Sequence, residues 1–166
     1  MSINKHRPHI LVLPEDDANR QIANGFILDL NLERRAIQVL PEARGWQDVV
    51  EKFRNNYAST MRQYPDRMIA LLMDFDEDKD RFIYVKEQIP DDLENRVFVL
   101  GVLSEPESLR RDINKNFEKI GEALAKDCSE NTNELWGHDL LIHNKTELER
   151  MISSVKPFLF NLKECW

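Results

Sequence analysis

Four short apolar runs constrain this chain more than any other feature. They are HILVL at 9–13, AIQVL at 36–40, MIALLM at 68–73 and RVFVLGVL at 96–103. None alternates cleanly between apolar and polar residues, which is the pattern of strands covered on both faces. Between them lie segments with apolar residues three or four apart, one stripe of a helix. Ile22, Phe26 and Leu30 mark the first stripe. Trp46, Val49, Val50, Phe53, Tyr57, Met61 and Tyr64 mark the second, and Leu109, Ile113, Phe117, Ile120 and Leu124 a later one. A shorter helix is expected over 79–88. Strand and helix in strict succession predict one α/β domain of three layers, with a mainly parallel sheet of four to five strands and helices on both faces.

The fifth strand would be DLLI at 139–142. A C-terminal helix would follow it, opened by a Thr146–Glu149 capping box and striped by Leu148, Ile152 and Val155. The core is expected over about 9–127 and this strand–helix extension over about 135–163, with CSENTNELWGH at 128–138 as a polar loop.

Composition narrows the function. The 166 residues suffice for a real core, and the net charge of −7 argues against a chain that grips nucleic acid unaided. Substrate affinity for a polyanion would have to come from metal ions or from a basic partner. No apolar run approaches the length of a membrane span, and the N-terminal apolar stretch is too short for a signal peptide. Cys128 and Cys165 form no disulfide framework and read as reduced thiols, which suggests a cytoplasmic protein.

The acids are placed less evenly than the apolar residues. In open α/β sheets, sites form at the carboxyl ends of strands. Glu15, Asp16 and Asp17 follow the first run, Asp74, Asp76 and Asp78 the third, and Glu105 and Glu107 the fourth. Crowded carboxylates repel one another, and burying them is costly without compensation. Hard oxygen ligands on one rim suit Mg²⁺ or Mn²⁺. Competing structural roles are also visible. Asp16 or Asp17 suits a helix cap, and Ser104 with Glu107 has the form of a capping box around Pro106. Arg111, Lys115 and Lys119 recur every four residues, as on a solvated helix face. His138 and His143 lack metal-type spacing, Trp46, Trp136 and Trp166 read as packing groups, and Cys128 reads as inert.

A Glu ending a first strand and a DxDxD ending a third strand, in a small parallel α/β domain, resemble the Toprim domain. That domain occurs in topoisomerases, bacterial primases, recombination proteins and nucleases of the overcoming-lysogenization-defect type. The resemblance covers roughly 9–104. It implies that Asp74 and Asp76 hold Mg²⁺ with Asp78 as a third carboxylate. Glu15 would bind metal or move a proton. Glu105 or Glu107 would match the acid that nuclease-type members carry after the fourth strand, and Lys156 their later lysine. The implied function is metal-dependent cleavage of nucleic-acid phosphodiesters, with an ATPase as partner. The chain departs from the family where Asp16 stands in place of the usual Gly and Asn19 in place of an Asp. It also has no tyrosine marked out as a topoisomerase nucleophile and no zinc motif of the primase kind.

ILVLPEDDANRQI is also similar to the start of a response-regulator receiver domain. That likeness implies a phosphorylated Asp74 or Asp76, Ser104 as switch hydroxyl, and Lys156-Pro157 as the family's Lys-Pro pair. The chain would then be a regulatory binding module without catalysis. A haloacid-dehalogenase-type phosphatase fits less well. That family carries DxD on its first strand and usually follows it with Thr or Val, whereas here the motif follows the third strand and Glu77 comes next.

Overall fold

A computed structural model describes residues 2–160. Four strands, β1 (His9–Pro14), β2 (Ile37–Val39), β3 (Arg67–Leu72) and β4 (Val97–Leu100), form one sheet in the order β2-β1-β3-β4. All three pairings are parallel, so the three-layer α/β expectation holds. The strands are buried on both faces, which is why their sequences do not alternate. Ile10, Ala70, Phe98 and Leu100 enter one core, and Leu11, Leu13, Ile69, Leu71, Val97 and Val99 enter the other.

The first core is covered by α1 (Asp17–Phe26), α5 (Pro106–Ile113), α6 (Phe117–Glu130) and α7 (Lys145–Leu159). The second is covered by α2 (Trp46–Lys52), α3 (Ala58–Gln63) and α4 (Lys79–Glu87), with a π-helical turn at Phe53–Tyr57 joining α2 to α3. This division follows from chain direction. The step from β1 to β2 runs one way along the sheet, the steps from β2 to β3 and from β3 to β4 run the other way, and connections keep one hand.

Two glycines set the packing of α1 on α6. A Cβ on Gly25 would lie 2.0 Å from the Glu118 carbonyl oxygen, and one on Gly121 would lie 1.9 Å from that of Ile22. The helix backbones touch directly there, and no other residue type fits.

Several local expectations are corrected. DLLI at 139–142 is not a strand; it is a turn that runs into a single 3₁₀ turn, Ile142–Asn144. Side chains take the place of a fifth strand on the β4 edge. Asn144 exchanges two hydrogen bonds with Gly101, accepting its N–H at 3.1 Å and donating to its carbonyl at 2.8 Å. Glu147 accepts the Val99 N–H at 3.1 Å, and Arg150 donates to the Val97 carbonyl. Positions 144, 147 and 150 share one face of the helix and its entry, so they run along the strand and satisfy its open edge. Glu147 is itself paired with Lys86 and Arg150.

The stripe Leu109–Leu124 is two helices. Asn114 turns left-handed at φ 53°, and Asn116 caps α6 through its side chain. The segment 128–138 is not all loop, because α6 runs to Glu130. Leu30 lies beyond α1 and is fully exposed. The start of α7 carries no side-chain cap at Asn144, so Thr146 and Glu149 form no capping box. Glu105, not Ser104, occupies the N-cap position of α5, with Pro106 next. The expected end of the extension at 163, Cys165 and Trp166 lie outside the described residues.

Candidate metal centre

Glu15 is the first residue past β1, and three bonds fix it. Its N–H donates to the Leu72 carbonyl at 2.8 Å, and its carbonyl accepts the Gly45 N–H at 3.2 Å. Its carboxylate Oε2 accepts the backbone N–H of Asp74 at 2.7 Å. The side chain is buried, at 7 % exposure. Asp74 lies just past β3, and β3 stays paired with the β4 side beyond the strand ends, through Met73 N–H to Leu100 O and Phe75 N–H to Val102 O. Gly101 permits that closeness, since a Cβ there would lie 1.6 Å from the Met73 carbonyl oxygen.

Asp16 is the N-cap of α1. One of its oxygens accepts the Asn19 N–H at 3.0 Å. The Asn19 side-chain amide donates to both flanking carboxylates, at 2.9 Å to Asp16 and 2.8 Å to Asp74. One oxygen each from Glu15, Asp16 and Asp74 then lies within 4.8 Å of the others, an arrangement that can hold a metal ion. The cluster sits between β1 and β3. There the chain leaves toward β2 on one side and β4 on the other, which is the switch point where open α/β sheets bind ligands.

The electrostatics leave these groups short of positive charge. Burial pushes the Asp74 carboxyl up to about 8; the Asn19 bond opposes this, and the charges of Glu15, Asp16 and Glu107 reinforce it. Burial also raises Glu15, and the Asp16 charge adds to the effect, while the Asp74 N–H and the Arg81 charge work against it. The N-terminal end of α1 contributes a partial positive charge. It does not suffice, because Asp74 remains far above the ordinary carboxylate range. Asn19 is fully buried; its amide nitrogen faces the carboxylates, and its Oδ1, turned away from them, has no hydrogen-bond partner among the described residues. The three carboxylates are the hard donors that Mg²⁺ or Mn²⁺ takes.

The other expected ligands stand apart from this group. Asp76 is exposed, adopts a left-handed backbone at φ 48°, and pairs with Arg81 at 3.1 Å. Asp78 caps α4 by accepting the Asp80 N–H at 3.0 Å. Glu105 is exposed at the head of α5, whereas Glu107 is half-buried and its charge reaches Asp74. Lys156 lies on α7 and bonds the Asn131 side chain. Ser104 has a buried hydroxyl with no partner among the described residues.

Sequence reasoning placed Asp16 in the acidic group on the rim but read it as a cap and not among the named ligands, and it missed Arg81. The Arg81 Nη1 donates to the Asp74 carbonyl at 2.8 Å as well as to Asp76, and its guanidinium lies 4.8 Å from the Trp46 ring centre. The available signal was its place in the first turn of α4, seven residues after Asp74. The bland readings of Trp136 and Cys128 fit. Trp136 is buried and bonds the Leu124 carbonyl, and burial pushes the Cys128 thiol to about 12. No family model matches the chain, and no curated protein or solved structure does so either.

Proposed function

We propose that this chain is a Toprim-like, metal-dependent enzyme that cleaves phosphodiesters in nucleic acid, with Mg²⁺ or Mn²⁺ held by Glu15, Asp16 and Asp74. The observation that carries the reading is the meeting of Glu15 and Asp74 at the switch point, joined by the 2.7 Å bond between them. The Toprim resemblance needs those two positions to converge. The raised Asp74 carboxyl, pushed up to about 8 by burial and by the neighbouring acids, supports a cation among them.

The bound ion would polarise a phosphate and acidify a metal-bound water. Asp74 and Asp16 would hold it. Glu15, raised by burial, would join them or take the proton of the attacking water. Asp76 and Asp78, on the following loop, would serve a second ion only if that loop turned inward. An acidic chain would draw substrate affinity from the metal and from a partner, for which an ATPase is the family precedent.

The receiver-like reading is the runner-up. It shares the acids at the ends of β1 and β3, but it also needs a Lys at the end of a fifth strand. Lys156 lies within α7, and DLLI is a turn. Those two facts favour the enzyme.

The test is nicking of supercoiled plasmid in Mn²⁺ by purified wild type, Glu15→Gln and Asp74→Asn. Nicking by wild type and loss in both variants is the expected result. Nicking that survives in both variants would trace to a contaminant and overturn the proposal. A stable phospho-Asp formed from acetyl phosphate would favour the regulatory reading instead.

A further inference from the structure

β1 and β3 carry acids at one end and cations at the other. Glu15 and Asp74 lie just past their last residues, whereas His9 and Arg67 are their first and stand opposite each other in the sheet. Two further segments meet there. Asn4–Arg7 is a turn, in which the Arg7 N–H donates to the Asn4 carbonyl at 3.2 Å and the Asn4 side chain accepts the His6 N–H at 3.2 Å. The Asn4 N–H donates to the Arg35 carbonyl at 3.1 Å, which sets this turn against the 3₁₀ turn Arg34–Ala36. Lys5, Arg7, Arg34, Arg35 and Arg67 therefore gather at one pole of a chain whose net charge is −7. None of the ion pairs among the described residues includes any of these five cations. The acids on the same segments are Glu33 and Asp66, and Glu33 spends a carboxylate oxygen on the Arg35 N–H.

The pole is held in place by its own bonds. The Arg67 guanidinium lies 4.8 Å from the Tyr64 ring centre and the Lys5 ammonium 5.4 Å from it, and the His6 ring meets Tyr64 edge-on at 6.0 Å. Arg96 Nη1 donates to the carbonyls of Met61, Tyr64 and Arg67, which fixes the segment that carries the ring. Arg67 is only 9 % exposed, and its Nε–H donates to His9 Nε2 at 2.9 Å. The Arg7 carbonyl, 2.7 Å from His9 Nδ1, can only accept, so Nδ1 carries the proton. The His9 imidazole is then neutral and offers Arg67 no counter-charge. A guanidinium this buried without a carboxylate is costly, and an anion from outside would offset that cost.

The surface chemistry narrows the partner. Segments 4–7, 34–36 and 64–67 expose no large apolar side chain. A protein interface keeps most of its energy in a buried apolar or aromatic core, which this pole lacks. A polyanion held by charge needs no such core. We propose that this pole binds the phosphate backbone of nucleic acid, with Lys5, Arg7, Arg34 and Arg35 on its phosphates and Arg67 beside Tyr64 as the recessed anchor. The class of ligand rests on the nucleic-acid reading of the acidic centre, and the binding itself needs no metal. The six residues of β1 put the pole on the order of 20 Å from Glu15, so it holds a flank of the strand and not the scissile phosphate. An acidic chain with cations gathered at one pole draws part of its affinity for a polyanion from itself.

The experiment measures binding without cleavage. A labelled oligodeoxythymidylate is titrated in EDTA at several salt concentrations, with fluorescence anisotropy as the readout. The proteins are wild type and three double variants: Lys5→Gln with Arg35→Gln, Arg7→Gln with Arg34→Gln, and Lys115→Gln with Lys119→Gln. The last pair removes the same charge from exposed positions away from the pole. Wild type should bind, and each pole pair should bind about tenfold or more weakly, with a salt slope shallower by about 1–2. The Lys115 and Lys119 pair should bind like wild type. No binding by wild type, or equal loss in all three pairs, would overturn the inference. So would polyglutamate that competes as well as the oligonucleotide, which would assign the pole to an acidic protein segment. Binding in EDTA by a protein that nicks no plasmid in Mn²⁺ would uphold the pole and remove the enzyme reading. Nicking by wild type, with oligonucleotide affinity unchanged in both pole pairs, would do the reverse.

Discussion

The Glu15 carboxylate accepts the backbone N–H of Asp74 at 2.7 Å, across 59 positions of sequence. This bond ties the end of β1 to the end of β3 and brings a second buried acid to the Asp74 carboxyl. It lowers the cost of the Glu15 charge and leaves the shared negative charge unresolved. The consequences are measurable.

The first is a pH dependence of stability. Between the ordinary carboxylate range near about 4 and the raised Asp74 value of about 8, the folded protein holds a proton that the unfolded chain has released. The metal-free protein should therefore lose stability as pH rises across that window. Mn²⁺ replaces the proton, so its stabilising effect should grow over the same range and its binding at neutral pH should release a proton. Thermal melts from pH 4 to 8 with and without Mn²⁺ check the first point, and calorimetry in buffers of different ionisation enthalpy checks the second.

Asp74→Asn should stabilise the metal-free protein. The substitution removes the cost of holding a proton on Asp74 at a pH where the unfolded chain has released it, and keeps an oxygen to accept the Asn19 amide. A gain of about 2 kcal/mol at pH 7.5 is expected, which allows for partial solvent screening of the site. Chemical denaturation of both proteins without metal measures it. A less stable variant would show that the charge itself is satisfied without a cation.

Gly121→Ala should destabilise the fold without touching the centre. A methyl there would lie 1.9 Å from the Ile22 carbonyl oxygen, so α6 would have to move off α1. The cost should be about 2–3 kcal/mol, as for other overpacked sites. A denaturant midpoint close to that of wild type would mean that the two helices are not in contact there.

Asn144→Ala should cost about 2–4 kcal/mol. It leaves the Gly101 N–H and carbonyl without their shared partner on the β4 edge. Amide hydrogen exchange should show the Gly101 N–H losing protection ahead of β1 and β3. Unchanged protection would mean that another group covers that edge.

The strands were legible because burial on both faces writes itself as an unbroken apolar run. The centre was partly legible for a related reason: Glu15 and Asp74 stand immediately beyond two such runs. What was hidden depended on side chains doing backbone work. Asn144, Glu147 and Arg150 read as the polar face of a helix, yet they complete a sheet edge. The left-handed turn at Asn114 does not disturb a spacing of three and four, so two helices looked like one. Asp16 was legible as a cap, and the same carboxylate also faces Asp74 through Asn19. Arg81 was marked in the sequence only by its place in the first turn of a helix, seven residues after Asp74.

The most direct measurement is a Mn²⁺ titration, followed by electron paramagnetic resonance, of wild type and of Glu15→Gln and Asp74→Asn at pH 8. Saturable binding by wild type, with affinity falling by about tenfold or more in each variant, is the predicted result. Wild type without saturable binding, or variants that bind as tightly as wild type, would contradict a metal centre at the junction of β1 and β3.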